Sequence, residues 1–166
     1  MASDPESREK WRAYPNTVLT FAAPAPLRID LRQPLDDDQR RALAAAGWSN
    51  AFAVLTAENP RGDNTDDEPT GSQAARNERA NRERRHTLHE TLAARHVRAR
   101  DVEGSAPDGS YTERCVAIDV PLQGAVELAR DFDQLAIFWF DGSRFWLVPA
   151  KATERPVPLP GGPAEE

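Results

Sequence analysis

The sequence predicts an α+β domain built on a single mixed, largely antiparallel sheet of five or six strands with three helices. Two runs, Ala51–Thr56 and Gln134–Phe140, are apolar on both alternating faces, as strands covered on both sides must be, and so belong at the sheet centre. Turn signals at Pro107-Asp108-Gly109 and Asp141-Gly142 fold neighbouring strand-like segments back on each other. Three helical patterns are mixed among these hairpin-joined pairs, which points away from a doubly wound sheet.

Residues 1–13 are polar and read as a frayed or loosely helical segment, with the domain spanning 14–150. Thr17 to Ala22 alternates as a first strand, and Ala23-Pro24-Ala25-Pro26 is a stiff extended connection. Asp36, Asp37 and Asp38 supply an N-cap and favourable charge for a helix over about Asp38–Ala46, stopped by Gly47. The central strand Ala51–Thr56 runs out through Thr56-Ala57-Glu58-Asn59-Pro60 into a long loop carrying Gly62, Pro69 and Gly71. Loops of that length in compact domains are functional or disordered. Thr70 or Ser72 caps a long helix reaching about Arg95. Val97–Val102 and Thr112–Val120 read as strands about the Pro107 turn. Leu122–Phe132 is an amphipathic helix with Leu122, Ala125, Val126, Ala129 and Phe132 on one stripe. Gln134–Phe140 pairs through Asp141-Gly142 with Ser143–Val148. Residues 151–166 are Pro- and Gly-rich and read as a disordered tail outside the fold.

Composition excludes several classes. Four Trp, six Phe and two Tyr are too many anchors for a fully disordered chain. The longest apolar run, Leu135 to Phe140, is far too short for a membrane-spanning helix. No basic-then-apolar leader opens the sequence, and one cysteine rules out an internal disulfide framework; both fit a reducing cytoplasm. A net charge of -6 argues against a general nucleic-acid binder. Arginine outnumbers lysine 19 to 2, which the coding bias of a GC-rich bacterial genome explains more simply than phosphate recognition does.

Charge is unevenly placed. Segment 57–72 carries five acidic residues against Arg61, a net of -4; segment 73–100 carries eight Arg against three Glu, a net of +5. Neighbouring charges of this kind either neutralise each other on a solvated surface or present a cationic face to an anion.

The long helix has an unusual inner stripe. At 100° per residue, Asn77, Asn81, Arg84, Leu88 and Leu92 share a sector about 80° wide. Leu88 and Leu92 are ordinary core residues. Two Asn and an Arg on the same line either brace the backbone of the Glu58 loop or face a polar cleft, because buried polar groups need partners. The two Asn are therefore expected to touch the Thr56–Pro60 loop. His86, His89 and His96 share another sector, but His89 and His96 stand about 10 Å apart along the axis, too far to share one ion. No metal and no cofactor is expected. Cys115 lacks an evident histidine partner and reads as a half-buried inert thiol. Glu113, on the Cys115 face of its strand, and Glu58 are the candidate catalytic carboxylates. No phosphate loop, dinucleotide fingerprint, nucleophile elbow or zinc pattern occurs. Arg155-Pro156-Val157-Pro158-Leu159-Pro160 has the look of a polyproline ligand.

The order Leu55-Thr56-Ala57-Glu58-Asn59-Pro60, then Asn77 and Asn81 with Leu88 and Leu92, then Phe132-Asp133-Gln134-Leu135-Ala136-Ile137 resembles a family of small stand-alone bacterial proteins, the domain of unknown function numbered three-two-nine-three. The resemblance covers about Tyr14 to Val148. Thr56, Asn59 and Pro60 match the family's loop, Asn77 and Asn81 its helix, and Phe132 and Gln134 its final run. Two positions depart from the pattern. Asp133 stands where glycine is usual, and Asp tolerates a left-handed turn. Cys115 stands where serine is usual, which removes hydroxyl chemistry there. The resemblance implies that these positions form one unit and implies no activity.

Two readings of function follow. One is a binding or interaction module taking a small anionic ligand or a protein partner in a polar cleft formed by Thr56, Glu58, Asn59, Asn77, Asn81, Arg84 and Gln134. The other is a small hydrolase or transferase with Glu58 or Glu113 as general base and the Asn and Arg groups stabilising charge. The first is preferred, because no complete catalytic constellation assembles from the sequence.

Overall fold

The computed structural model describes residues 5–22, 26–48, 50–58 and 71–160. In chain order they form α1 (Pro5–Ala13), β1 (Val18–Phe21), β2 (Leu27–Asp30), α2 (Asp37–Ala45), β3 (Phe52–Leu55), α3 (Gly71–Ala94), β4 (Ala99–Ser105), β5 (Thr112–Ile118), α4 (Leu122–Asp131), β6 (Ala136–Phe140), β7 (Phe145–Pro149) and β8 (Val157–Leu159), with one 3-10 turn at Tyr14–Asn16. The strands make one sheet in the order β2-β1-β4-β5-β3-β6-β7-β8. Every neighbouring pair is antiparallel.

The α+β class holds, but the counts and the mixed character do not. The described residues hold eight strands and four α-helices, and the sheet is wholly antiparallel. The two extra strands are its edges, β2 and β8, each short and next to proline, so neither shows a long alternating pattern. The tail expected to lie outside the fold supplies β8, whose Leu159 is buried in the core against Phe145. The segment expected to be frayed or loosely helical forms α1, anchored by Trp11 in the same core. Residues 161–166 and most of the Ala-Pro-Ala-Pro connection lie outside the described residues.

Both two-sided apolar runs are central, because β3 and β6 are neighbours in the middle of the sheet. Alternation splits their side chains between two cores. Phe52, Val54, Phe138 and Phe140 face a cluster with Trp11, Leu43 and Trp48 of the α1–α2 side. Ala53, Leu55 and Ile137 face Leu88 and Leu92 of α3 and Ala125, Val126 and Ala129 of α4.

Helix ends follow their sequence signals. Asp36 caps α2 in a reciprocal pair with Gln39: the Gln39 amide donates to the Asp36 carboxylate (2.8 Å), and the Asp36 amide donates to the Gln39 side chain (3.0 Å). After α4 the Asp133 amide donates to Arg130 O and the Gln134 amide to Ala129 O, with Asp133 at φ 59 in the left-handed region. Asp133 thus takes the left-handed turn, which sets Gln134 two residues before β6.

Candidate functional site

The site is built where β3 stops. The β3–β5 ladder runs as far as Leu55 opposite Val116. Beyond it, the backbone of Arg114 would face nothing, and side chains take over. The Thr56 hydroxyl donates to Arg114 O (2.8 Å) and accepts the Glu58 amide (3.0 Å). The Glu58 carboxylate accepts the Arg114 amide (3.2 Å). Thr56 and Glu58 thereby complete a sheet edge that the turning backbone cannot, meeting the rule that buried peptide groups find partners.

Three further groups converge on the same turn. The Gln134 side-chain amide donates to Glu58 O (3.1 Å), tying the turn between α4 and β6 to the end of β3. The Arg85 guanidinium pairs with the Glu58 carboxylate. The Arg84 guanidinium donates through Nε to Ala57 O (3.0 Å) and through Nη2 to Asn81 Oδ1 (2.6 Å). Thr56, Glu58, Asn81 and Gln134 are the buried polar residues of the molecule among those described, at 8%, 6%, 4% and 1% exposure. Their clustering concentrates the polar content of the interior at one place.

Of the residues singled out from sequence, Thr56, Glu58, Asn81, Arg84 and Gln134 are therefore brought together. Asn81 reaches the strand end through Arg84, which bridges it to Ala57. Asn77 lies half-buried one turn earlier on the same stripe. Asn59 and Pro60 lie outside the described residues.

Glu113 is placed elsewhere. Along β5, Cys115 and Ala117 face the α1–α2 core, whereas Val116 and Ile118 face α3 and α4. Glu113 shares the Cys115 side, two residues along, and accepts the Tyr111 hydroxyl (2.7 Å). Glu113 therefore lies on the α1–α2 side of the sheet, whereas the Glu58 carboxylate is held at the strand end by the Arg114 amide and by Arg85 of α3. Burial, then the nearby Glu113 and Glu58 carboxylates, push the Cys115 thiol well above its ordinary value, so it is held as a neutral thiol. The histidines are dispersed: His86 pairs with Glu90 (3.3 Å), His89 lies 3.9 Å from Asp101, and His96 takes the left-handed position that ends α3.

Arg85 was not evident from the sequence, since it falls about 100° beyond Arg84 and off the inner stripe. Its length lets it reach back over the helix flank to Glu58. Phe132, legible as a helix-stripe residue and as part of the final run of the resemblance, lines an open groove of about 210 Å³ together with Ala80, Glu83, Arg84 and Thr87. Arg84 thus has one edge bound to the strand end and lines this groove.

Chemically, the arrangement is an arginine fixed by two neutral acceptors beside a carboxylate already neutralised by a second arginine. Such a protein is an antiparallel α+β domain with a polar cluster built at a central strand end. The family model described as a protein of unknown function, DUF3293, matches residues 55–137, which is 83 of the 166 residues. The chain belongs to this family. The matched stretch opens at the last residue of β3 and closes in β6, so it contains every member of the cluster. No curated protein and no solved structure matches the chain.

Proposed function

We propose that the protein is a binding module whose groove beside α3 takes a small ligand bearing a carboxylate or phosphate group, with Arg84 as its principal contact. The observation that carries this reading is the state of Arg84. A guanidinium has five N–H donors, and among the described residues two of them are used, on Ala57 O and Asn81 Oδ1. Both partners are uncharged, so the cation is held in place and its charge is not consumed by a carboxylate within the cluster. Preorganised arginine of this kind suits planar, bidentate capture of an oxyanion. Glu58 supports the site and does not compete for the ligand, since Arg85 and the Arg114 amide occupy it.

The same facts weigh against an enzyme. A general base must reach the reacting group, and Glu58 is engaged on both oxygens while Glu113 accepts the Tyr111 hydroxyl on the α1–α2 side. The reading further treats the chain as one domain that includes α1 and β8, acting in a reducing bacterial cytoplasm. The single, half-buried free cysteine supports that setting, and no helix among the described residues is long and apolar enough to cross a membrane.

Calorimetric titration with inorganic phosphate and with citrate tests the proposal. Saturable binding is expected for at least one of them, weakened tenfold or more by Arg84→Gln and tightened by Glu83→Gln, which removes a like charge from the groove. Absence of saturable binding for both anions, or equal affinity in Arg84→Gln, would overturn it, and a protein partner would then be the reading to pursue.

A further inference from the structure

The two edges of the sheet meet. Ile29 of β2 and Leu159 of β8 line one groove, although six strands separate them in the sheet order. The sheet therefore curls until its edges face each other across a seam, short of closing into a barrel. The groove in that seam measures about 270 Å³. Its floor is apolar: Ile29, Leu31, Phe145 and Leu159 are all buried core residues.

Two arginines stand at its rim. Arg40 donates to Leu35 O (3.2 Å) and Ser143 O (3.4 Å), spanning from the loop after β2 to the turn before β7. Arg144 donates to Pro160 O (3.1 Å) and lies 5.8 Å from the Trp146 ring centre. Both are anchored on backbone carbonyls, which leave their charge in place. Two carboxylates stand close by and offset part of this charge. Asp37 pairs with Arg40 at 3.7 Å across an exposed surface, and Asp141, held by the Ser143 and Arg144 amides and the Trp146 indole, lies within electrostatic reach of Arg144.

We propose that this seam is a second ligand site, independent of the Arg84 groove, for a small monocarboxylate with a compact aryl or branched-alkyl body. The apolar floor takes the body and the arginine rim takes the carboxylate. Binding sites of this kind are concave and mostly apolar, with a few convergent polar groups, and mouths of curled sheets are common places for them. The volume falls just below the roughly 300–1,000 Å³ of drug-sized pockets, which excludes a long acyl chain. Inorganic phosphate would leave the floor uncovered. Addition of a partner strand to β8 is opposed by Pro158 and Pro160, which carry no amide donor.

The test is a methyl-detected NMR titration of the full chain, following Ile29, Leu31 and Leu159, with 3-phenylpropionate and its alcohol analogue 3-phenylpropan-1-ol. Expected are saturable shifts of these methyls with the acid, at least tenfold weaker binding of the alcohol, and at least tenfold weaker binding of the acid to Arg144→Gln. Arg144 is exposed, so that variant folds; Arg40→Gln gives a second reading of the same rim. In Arg84→Gln the acid is expected to shift the Ile29, Leu31 and Leu159 methyls as in the parent, which separates this site from the Arg84 groove. Equal affinity for acid and alcohol, unchanged affinity in both rim variants, or shifts confined to residues outside the seam would overturn the proposal.

Discussion

Thr56→Val removes one oxygen atom and little volume, and the structure sets the size of its effect. The hydroxyl serves two backbone groups at once, donating to Arg114 O at 2.8 Å and accepting the Glu58 amide at 3.0 Å. At 8% exposure, water cannot readily replace it. Each buried peptide group left unpaired costs about 1–3 kcal/mol. The added methyl returns about 0.8 kcal/mol. The net loss over the two groups is therefore on the order of 1–5 kcal/mol, centred near 3. Thr56→Ser keeps both hydrogen bonds and loses only a methyl, so it should cost about 1 kcal/mol. Urea unfolding of both variants with unchanged m-values measures the difference directly. A Val variant as stable as the Ser variant would show that the hydroxyl does not complete the β5 edge, and the construction of the site would fall with it.

Deleting residues from Arg155 onward removes β8 and the buried Leu159; the loss of that side chain alone is worth about 2–5 kcal/mol, and a melting temperature lowered by roughly 5–15 °C is expected, whereas an unchanged melt would contradict the strand. Asp133→Gly is expected to raise stability by about 0.5–1 kcal/mol by relieving the left-handed strain at φ 59, while Asp133→Val lowers it by more than 1 kcal/mol; chemical denaturation reads both. Burial pushes the Asp141 carboxyl up, but the Arg144 amide, the Trp146 indole, the Ser143 amide and the Arg144 charge together outweigh it and hold the group below its ordinary 3.8. Its contribution is thus present above pH 3.8 and is lost as pH falls through the lower folded value, so Asp141→Asn should flatten the acid limb of stability against pH; an unchanged limb would refute that assignment.

The centre of this fold was legible because it is buried twice. A strand covered on both faces cannot hide its apolar run, and Phe52–Leu55 and Ala136–Phe140 announce themselves. The edges were not, because β2 and β8 are too short and proline-flanked to show a period. Trp11 likewise holds α1 to the core with one side chain in an otherwise polar segment. At the site, helical spacing singled out Asn81 and Arg84 as polar residues on an inward line. Spacing could not say that Arg85 bends round the helix to Glu58, nor which core each side of β5 would face. Alternation assigned Glu113 to the Cys115 side of its strand, but only the packing of α3 and α4 against the other side separates it from Glu58.

The binding reading stands or falls on the Arg84 guanidinium. Nitrogen-detected NMR of arginine side chains during titration with inorganic phosphate and citrate observes it directly, and Arg98 serves as an internal reference, stacked 4.0 Å over Trp48 and donating to Ala46 O. A saturable shift of the Arg84 side-chain resonances with at least one anion, at a concentration that leaves Arg98 unmoved, is the expected result. Arg84 resonances that stay in place with both anions, or that move only in step with Arg98, would contradict the assignment of this groove as an anion site.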